Sequence, residues 1–254
     1  MSLLNFQQTG EGPDVILIHG LFGSLENLNM VAKALTSAYR VTQIDVRNHG
    51  LSFHESNMEY STLAQDIINV MQHLSIKKAK LLGHSMGGKI AMQLALEHPE
   101  YVDKLVVADI APVSYPPHHQ TIMKGLKAID LSKVQKRKDA DEQLAPYVDN
   151  MGVRQFLLRN LTTINNQFSF KCDLDAIETC YPQIMKGYEG SAQFNGLTLF
   201  IKGEQSDYIK PEHREKIVSL FPNSRAKVIQ GAGHWLHAEK TSAFNKIVLD
   251  FFNA

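Results

Sequence analysis

Ser85 stands in the segment Lys80-Leu81-Leu82-Gly83-His84-Ser85-Met86-Gly87-Gly88-Lys89, a G-x-S-x-G pentapeptide between an apolar run and a stretch of helical periodicity. A serine hydroxyl is a weak nucleophile until a base takes its proton, and it also needs exposure to a carbonyl carbon. A sharp strand-to-helix turn supplies that exposure, lifting Oγ clear of the strand ends. The same turn sets the Met86 amide at a helix N-terminus, aimed at the oxyanion of an attacked carbonyl. Gly83 and Gly87 flank the serine because a Cβ at either place would strike neighbouring backbone. A second oxyanion donor must come from another loop. Ile18-His19-Gly20-Leu21-Phe22-Gly23 directly follows an apolar run, so the Leu21 amide is the candidate, while His19 reads as a residue that fixes the loop.

Eleven histidines compete to be the base. His234 has the best context: it sits in Gln230-Gly231-Ala232-Gly233-His234-Trp235, after the last strand candidate and before the final helix, where a glycine-rich loop can swing an imidazole over a sheet edge. His237 is the nearby rival, with a solvent-exposed or N-terminal helix residue as its plainer reading. His118 and His119 read as pocket rim or surface.

The elements that must position these groups are visible as short apolar runs alternating with helical periodicity. Runs at residues 15–19, 41–45, 79–84, 105–110, 197–202 and 226–229 read as strands, with residues 3–9 as an added edge strand. Residues 25–35, 62–74, 87–98, 211–221 and 241–252 read as helices, the second opened by a Thr62…Gln65 capping box. The alternation implies an α/β fold with a mostly parallel central sheet between layers of helices. From residue 112 to 190 no strand is evident, but amphipathic segments occur at 122–129, 140–148 and 153–160. Pro112, Pro116 and Pro117 mark the start of this stretch, since proline withholds the amide that a ladder needs. A core of residues 1–111 and 191–254 with a helical cap of residues 112–190 is expected.

Composition sets the limits. A chain of 254 residues that is 44% hydrophobic can bury a large core. Twenty-six basic residues balance twenty-six acidic ones, which leaves no basic field for a nucleic acid. Cys172 and Cys180 lack the closely spaced Cys/His partners of a zinc site, and no metal is expected. No basic n-region or long apolar stretch opens the chain, so no membrane insertion and a cytoplasmic location are expected. Nothing indicates the oligomeric state.

Taken together, strand-H-G-x-x-G, Asp45-Val46-Arg47-Asn48-His49-Gly50-Leu51-Ser52, the serine turn and G-A-G-H resemble the α/β-hydrolase superfamily, in that order along the chain. His19-Gly20-Leu21-Phe22-Gly23-Ser24, Asp109-Ile110-Ala111-Pro112 and Gly233-His234-Trp235-Leu236-His237-Ala238-Glu239 look more closely like the small bacterial esterases of the YbfF type. The resemblance implies a serine carboxylesterase acting on small to medium acyl esters, with acyl-CoA thioesters as a further class, and no cofactor. The superfamily's usual acid would follow the strand at 197–202, where Asp207 and Glu204 lie. The YbfF-like pattern instead points to Asp109, with Ser206 assisting the histidine; both places are carboxyl ends of neighbouring strands, so topology permits either. Asp45 reads as structural. Phe22, Met123, Phe156 and Trp235 are the substrate-lining candidates. Carbon–carbon hydrolases and cofactor-free haloperoxidases of the same fold keep a serine triad, and a non-catalytic binding module of this fold is the reading from another class.

Overall fold

The structure is a computed structural model that describes residues 2–254. Its chain order is β1 (Phe6–Thr9), β2 (Asp14–Ile18), α1 (Asn29–Leu35), β3 (Arg40–Ile44), α2 (Tyr60–His73), β4 (Ala79–His84), α3 (Met86–Glu97) and β5 (Val102–Ala108). There follow α4 (Gln120–Lys127), α5 (Arg137–Leu144), α6 (Met151–Leu157), β6 (Leu161–Ile164), β7 (Gln167–Phe170) and α7 (Leu174–Met185). The chain closes with β8 (Leu197–Gly203), α8 (Arg214–Leu220), β9 (Ser224–Ile229), α9 (Leu236–Glu239) and α10 (Thr241–Asn253).

Seven strands form one sheet in the order β1-β3-β2-β4-β5-β8-β9, with only the edge strand β1 antiparallel to its neighbour. Because side chains alternate along a strand, each inner strand feeds two apolar layers. Val15 and Leu17 of β2 pack with Leu28, Val31, Val248 and Phe252 on one face, whereas Ile16 and Ile18 pack with Ile67, Ile90 and Leu94 on the other. Both faces are covered, which is why the inner strands read as continuous apolar runs.

Residues 112–190 lie between β5 and β8 and hold α4 to α7. Leu126, Leu144, Leu157 and Ile177 from this stretch share one apolar cluster with the α2–α3 face of the sheet. The expectation of no strand here is corrected, because β6 and β7 form an antiparallel hairpin. Its two-residue turn, Asn165-Asn166, has φ of 51° and 62°, the left-handed pair that asparagine tolerates and that matches strand twist. α7 also lay outside the sequence-predicted helices. Asp173 caps it by accepting from the Ala176 amide at 2.9 Å, and Pro182 near its end forgoes one backbone bond without stopping it.

Two boundary expectations are corrected too. α2 begins at Tyr60 with Glu59 at the N-cap, so Thr62 lies inside the first turn and forms no capping box. β5 ends at Ala108, two residues early, because Asp109 takes a φ of 53° and turns out of the sheet. Among the described residues no helix is long and apolar enough to cross a membrane.

Candidate active site

The carboxyl ends of β2, β4, β5, β8 and β9 open on the same side of the sheet, so the loops after them converge. Ser85 follows β4 with φ 53° and ψ −120°, a strained conformation for a residue other than glycine. The structure shows why its neighbours are glycines. A Cβ on Gly83 would collide with the Gly87 carbonyl, and one on Gly87 with the Ile18 carbonyl. The backbone holds the turn from both sides: the Ser85 amide donates to Ala108 O at 2.9 Å, and the Gly88 amide donates to Ser85 O at 2.8 Å.

His234, on the loop between β9 and α9, places Nε2 3.0 Å from Ser85 Oγ and Nδ1 2.8 Å from Asp109 Oδ2. The carboxylate can only accept, so Nδ1 carries the proton and Nε2 presents its lone pair to the serine hydroxyl. Asp109 is wholly buried. Its Oδ1 accepts from the Gly203 amide at 3.0 Å and its Oδ2 accepts from the Ser206 hydroxyl, so every lone pair with a partner faces a donor. Ser206 therefore touches the Asp109 carboxylate and not the imidazole. Asp207 is exposed, and Glu204 accepts from the Gly231 amide at 2.8 Å, away from His234.

Other histidines fall into structural places. His19 donates from Nδ1 to Gly20 O at 2.8 Å and accepts the Val46 amide at Nε2 at 3.0 Å, fixing the loop that carries Leu21. His49 does the same for the next residue, accepting the Phe22 amide at 3.1 Å. His84 donates from Nε2 to His234 O at 2.8 Å and holds the loop from below. His237 lies in the first turn of α9, one of the two plainer readings of it, but it is buried and not exposed, with its ring 4.4 Å from that of His84. Burial pushes His49, His119 and His237 each down to about 3 and lowers His84 well below the usual imidazole range, so all four stay neutral near pH 7. Asp45 accepts from the Leu25 amide at 2.7 Å and the Leu51 amide at 2.9 Å, and Arg47 clamps Asp66 in a bidentate pair at 2.6 and 2.8 Å.

Above Ser85 is a cavity of about 390 Å³. Leu21, Phe22, Phe156 and Trp235 line it, as the sequence suggested, and His118 and His119 stand at its wall. Met123 does not. α4 is turned so that Ile122 faces this cavity while Met123 faces α7, where it lines a separate groove with Tyr181 and Met185. Neighbouring positions on a helix point about 100° apart, so one of the two must turn away. Met86 begins α3, so its amide has no partner within the helix, and with Leu21 and Ser85 it borders a second, much smaller cavity. Sequence reasoning missed Tyr208, whose ring stacks on that of His234 at 3.9 Å, and Asn160, whose side chain reaches the loop carrying Leu21. Tyr208 lies two residues beyond Ser206, in the loop after β8, and that placement was its only available signal.

Comparison with known proteins finds the same fold and family. A profile of the alpha/beta hydrolase fold matches residues 13–145. The chain is 38% identical over 240 residues to Esterase YbfF of Escherichia coli, covering 94% of this chain and 92% of that protein. It is 39% identical over 247 residues to the sn-1-specific diacylglycerol lipase ABHD11 of Mus musculus, covering 94% of this chain and 80% of the other. Among solved structures, a marine microorganism esterase superposes with a TM-score of 0.96 at 38% identity, over 99% of this chain and all of its counterpart.

Proposed function

Because this chain belongs to the α/β-hydrolase family, we propose that it is a serine carboxylesterase working through an acyl-enzyme. The observation that carries the reading is the continuous hydrogen-bonded line from Ser85 Oγ through His234 to Asp109, at 3.0 and 2.8 Å. Ser85 Oγ attacks the ester carbonyl carbon while His234 Nε2 takes its proton. Charge then builds on the carbonyl oxygen, where the amides of Leu21 and Met86 receive it. As the tetrahedral intermediate collapses, the bond to the alcohol oxygen breaks and His234 gives that oxygen the proton. Water, deprotonated by the same imidazole, then releases the acid. Asp109 holds the working tautomer throughout and stabilises the imidazolium that forms twice per turnover. The names of similar proteins support an ester or lipid ester as substrate, and acyl thioesters fit the same steps with sulfur as leaving atom. No step calls on a metal or organic cofactor.

In this reading residues 112–190 act as a cap. They place Ile122, Val148, Val153 and Phe156 over the serine, so substrate lies between the two layers. Substrate selection then belongs to this insertion, and the chemistry belongs to the loops below it.

Treatment with a fluorophosphonate tests the proposal, since the reagent reacts only with an activated serine. Labelling should map to Ser85, vanish in Ser85→Ala and accompany hydrolysis of 4-nitrophenyl acetate. A folded protein that takes no label and hydrolyses no ester would return the fold to the status of a binding module.

A further inference from the structure

Ser85 borders two cavities of very different size, one of about 390 Å³ and one of about 20 Å³. His234, Phe156 and Trp235 line the larger and not the smaller, which is walled by Met86, Ile110, Tyr115, Ile184 and Met185. We infer that the small cavity holds the acyl group and the large one the alcohol, so that the enzyme is selective for esters of a very short acyl group with a bulky, apolar alcohol. The inference rests on the serine esterase reading above and narrows it.

The direction follows from the proton. During acylation the carbonyl carbon forms its bond to Ser85 Oγ and loses its bond to the alcohol oxygen, which must collect a proton from His234 Nε2 as it leaves. The alcohol therefore lies on the side of Ser85 where the imidazole is, and that is the large cavity. The acyl substituent stays on the carbon and points the other way, toward Met86 and Ile110. A space of about 20 Å³ admits roughly one water-sized group, which is the methyl of an acetyl ester.

The walls of the small cavity are held by buried hydrogen bonds. Lys89 and Tyr60 form its floor, and Lys89 Nζ donates to Lys186 O at 2.6 Å and Met185 O at 3.2 Å while lying 4.8 Å from the centre of the Tyr115 ring. The Tyr115 hydroxyl donates to Tyr208 O at 2.5 Å and accepts from the Ala111 amide at 2.9 Å. Moving either side chain aside would leave buried polar groups unpaired. Beyond this wall is the groove of about 490 Å³ that Met123 lines, and Tyr115 and Met185 face both spaces. The Met185 side chain makes no hydrogen bond, so it is the part of the wall that substitution can remove with least disturbance.

Two substrate series on the wild-type protein read the assignment directly. With 4-nitrophenyl esters from acetyl to octanoyl, kcat/KM should drop about tenfold by propionyl and about a hundredfold by butyryl, since each methylene without room costs about tenfold. With acetate esters of ethyl, butyl and hexyl alcohols it should rise. Met185→Ala should join the small cavity to the groove and raise the butyryl-to-acetyl ratio about tenfold or more. Ile184→Val should move it the same way by less, and serves if the first variant does not fold. Phe156→Ala should alter the alcohol series and leave the acyl ratio alone. A wild-type acyl series that is flat or climbs toward octanoyl, or an acyl ratio that responds to Phe156→Ala instead of Met185→Ala, overturns the assignment while Ser85 labelling persists. Loss of labelling and of all ester turnover would instead overturn the esterase reading beneath it.

Discussion

The Asn160 side-chain amide donates one hydrogen to Phe22 O at 2.5 Å and the other to Leu157 O at 3.1 Å, so a buried residue of the 112–190 insertion fixes the loop next to Leu21. Both acceptors are backbone carbonyls, and both lose a donor if the amide is removed.

Asn160→Ala should therefore act on the oxyanion donor without touching substrate. Removing one such donor costs about a hundredfold or more, and partial misplacement of a loop still held by His19 and His49 should lower kcat about tenfold with KM changed little. The rate of fluorophosphonate labelling should fall in parallel, because it too builds charge on that oxygen. If labelling and kcat keep wild-type values per folded molecule and only Tm drops, Asn160 serves stability alone.

Asp109→Asn should cost far more than Asp207→Asn. The amide that replaces the carboxylate can turn its NH2 toward Nδ1 and force the proton onto Nε2, the wrong tautomer for taking a proton from serine; losses near ten-thousandfold in kcat are the scale for that change. Asp207→Asn alters an exposed group and should leave activity within about twofold. Ser206→Ala removes one of the donors to Asp109 and should fall between them, at about tenfold. Steady-state kinetics on the three variants decide the matter, and a large loss in Asp207→Asn with near-normal Asp109→Asn would falsify the assignment.

Gly83→Ala should be among the most damaging single-methyl changes in the protein. Its Cβ would press into the Gly87 carbonyl at the base of the serine turn, where backbone on both sides is hydrogen-bonded and cannot yield. We expect loss of more than about 3 kcal/mol by urea denaturation, or failure to fold, as against about 1 kcal/mol for an ordinary surface change. Gly231→Ala is the control: it sits at a positive φ of 64°, but a Cβ there would meet only the end of the Lys240 side chain at an ordinary 3.7 Å, so it should show only the modest cost of the conformation.

The strands and the serine turn were legible because their causes are local. Ala79 to His84 is buried along its whole length and mostly apolar, and Gly83 answers to a collision with the Gly87 carbonyl four residues on, whereas Gly87 answers to Ile18 of the neighbouring strand. His234 was legible because glycines and a following helix bracket it. The acid was not, since whether Asp109 reaches His234 depends on the turn at φ 53° that ends β5, and a strand pattern in the sequence runs straight through that position. Tyr208 and Asn160 were invisible for a different reason: each meets its partner only after segments 26 and 138 residues apart have been brought together by the fold. Met123 turns away from the Ser85 cavity through the rotation of its helix, which the apolar pattern leaves open because Ile122 and Met123 are both apolar.

Four neutral imidazoles, three buried and His119 half-buried, make stability fall in acid. In the unfolded chain His49, His84, His119 and His237 each take a proton near 6.5, whereas in the folded protein burial holds three of them at about 3 and the fourth well below its usual range. Between these values the unfolded state binds more protons, so stability rises with pH there. It is complete above about pH 6.5 and drains away as pH falls toward the folded values. Each such group removes up to about 1.4 kcal/mol per pH unit, and three together up to about 4 kcal/mol, enough to unfold a typical domain within two or three units. Tm should be level from pH 8 to about 6.5 and then fall steeply. His237→Leu provides the internal check. His237 Nδ1 has no hydrogen-bond partner among the described residues, and the ring packs against Phe244 with centres 6.1 Å apart, so an apolar side chain suits the place. In that variant the acid slope of unfolding free energy should shrink by about one proton, while stability near pH 8 changes little. Urea titrations at a series of pH values measure both quantities. An acid slope unchanged by His237→Leu would mean that His237 does not take up its proton on unfolding in this range.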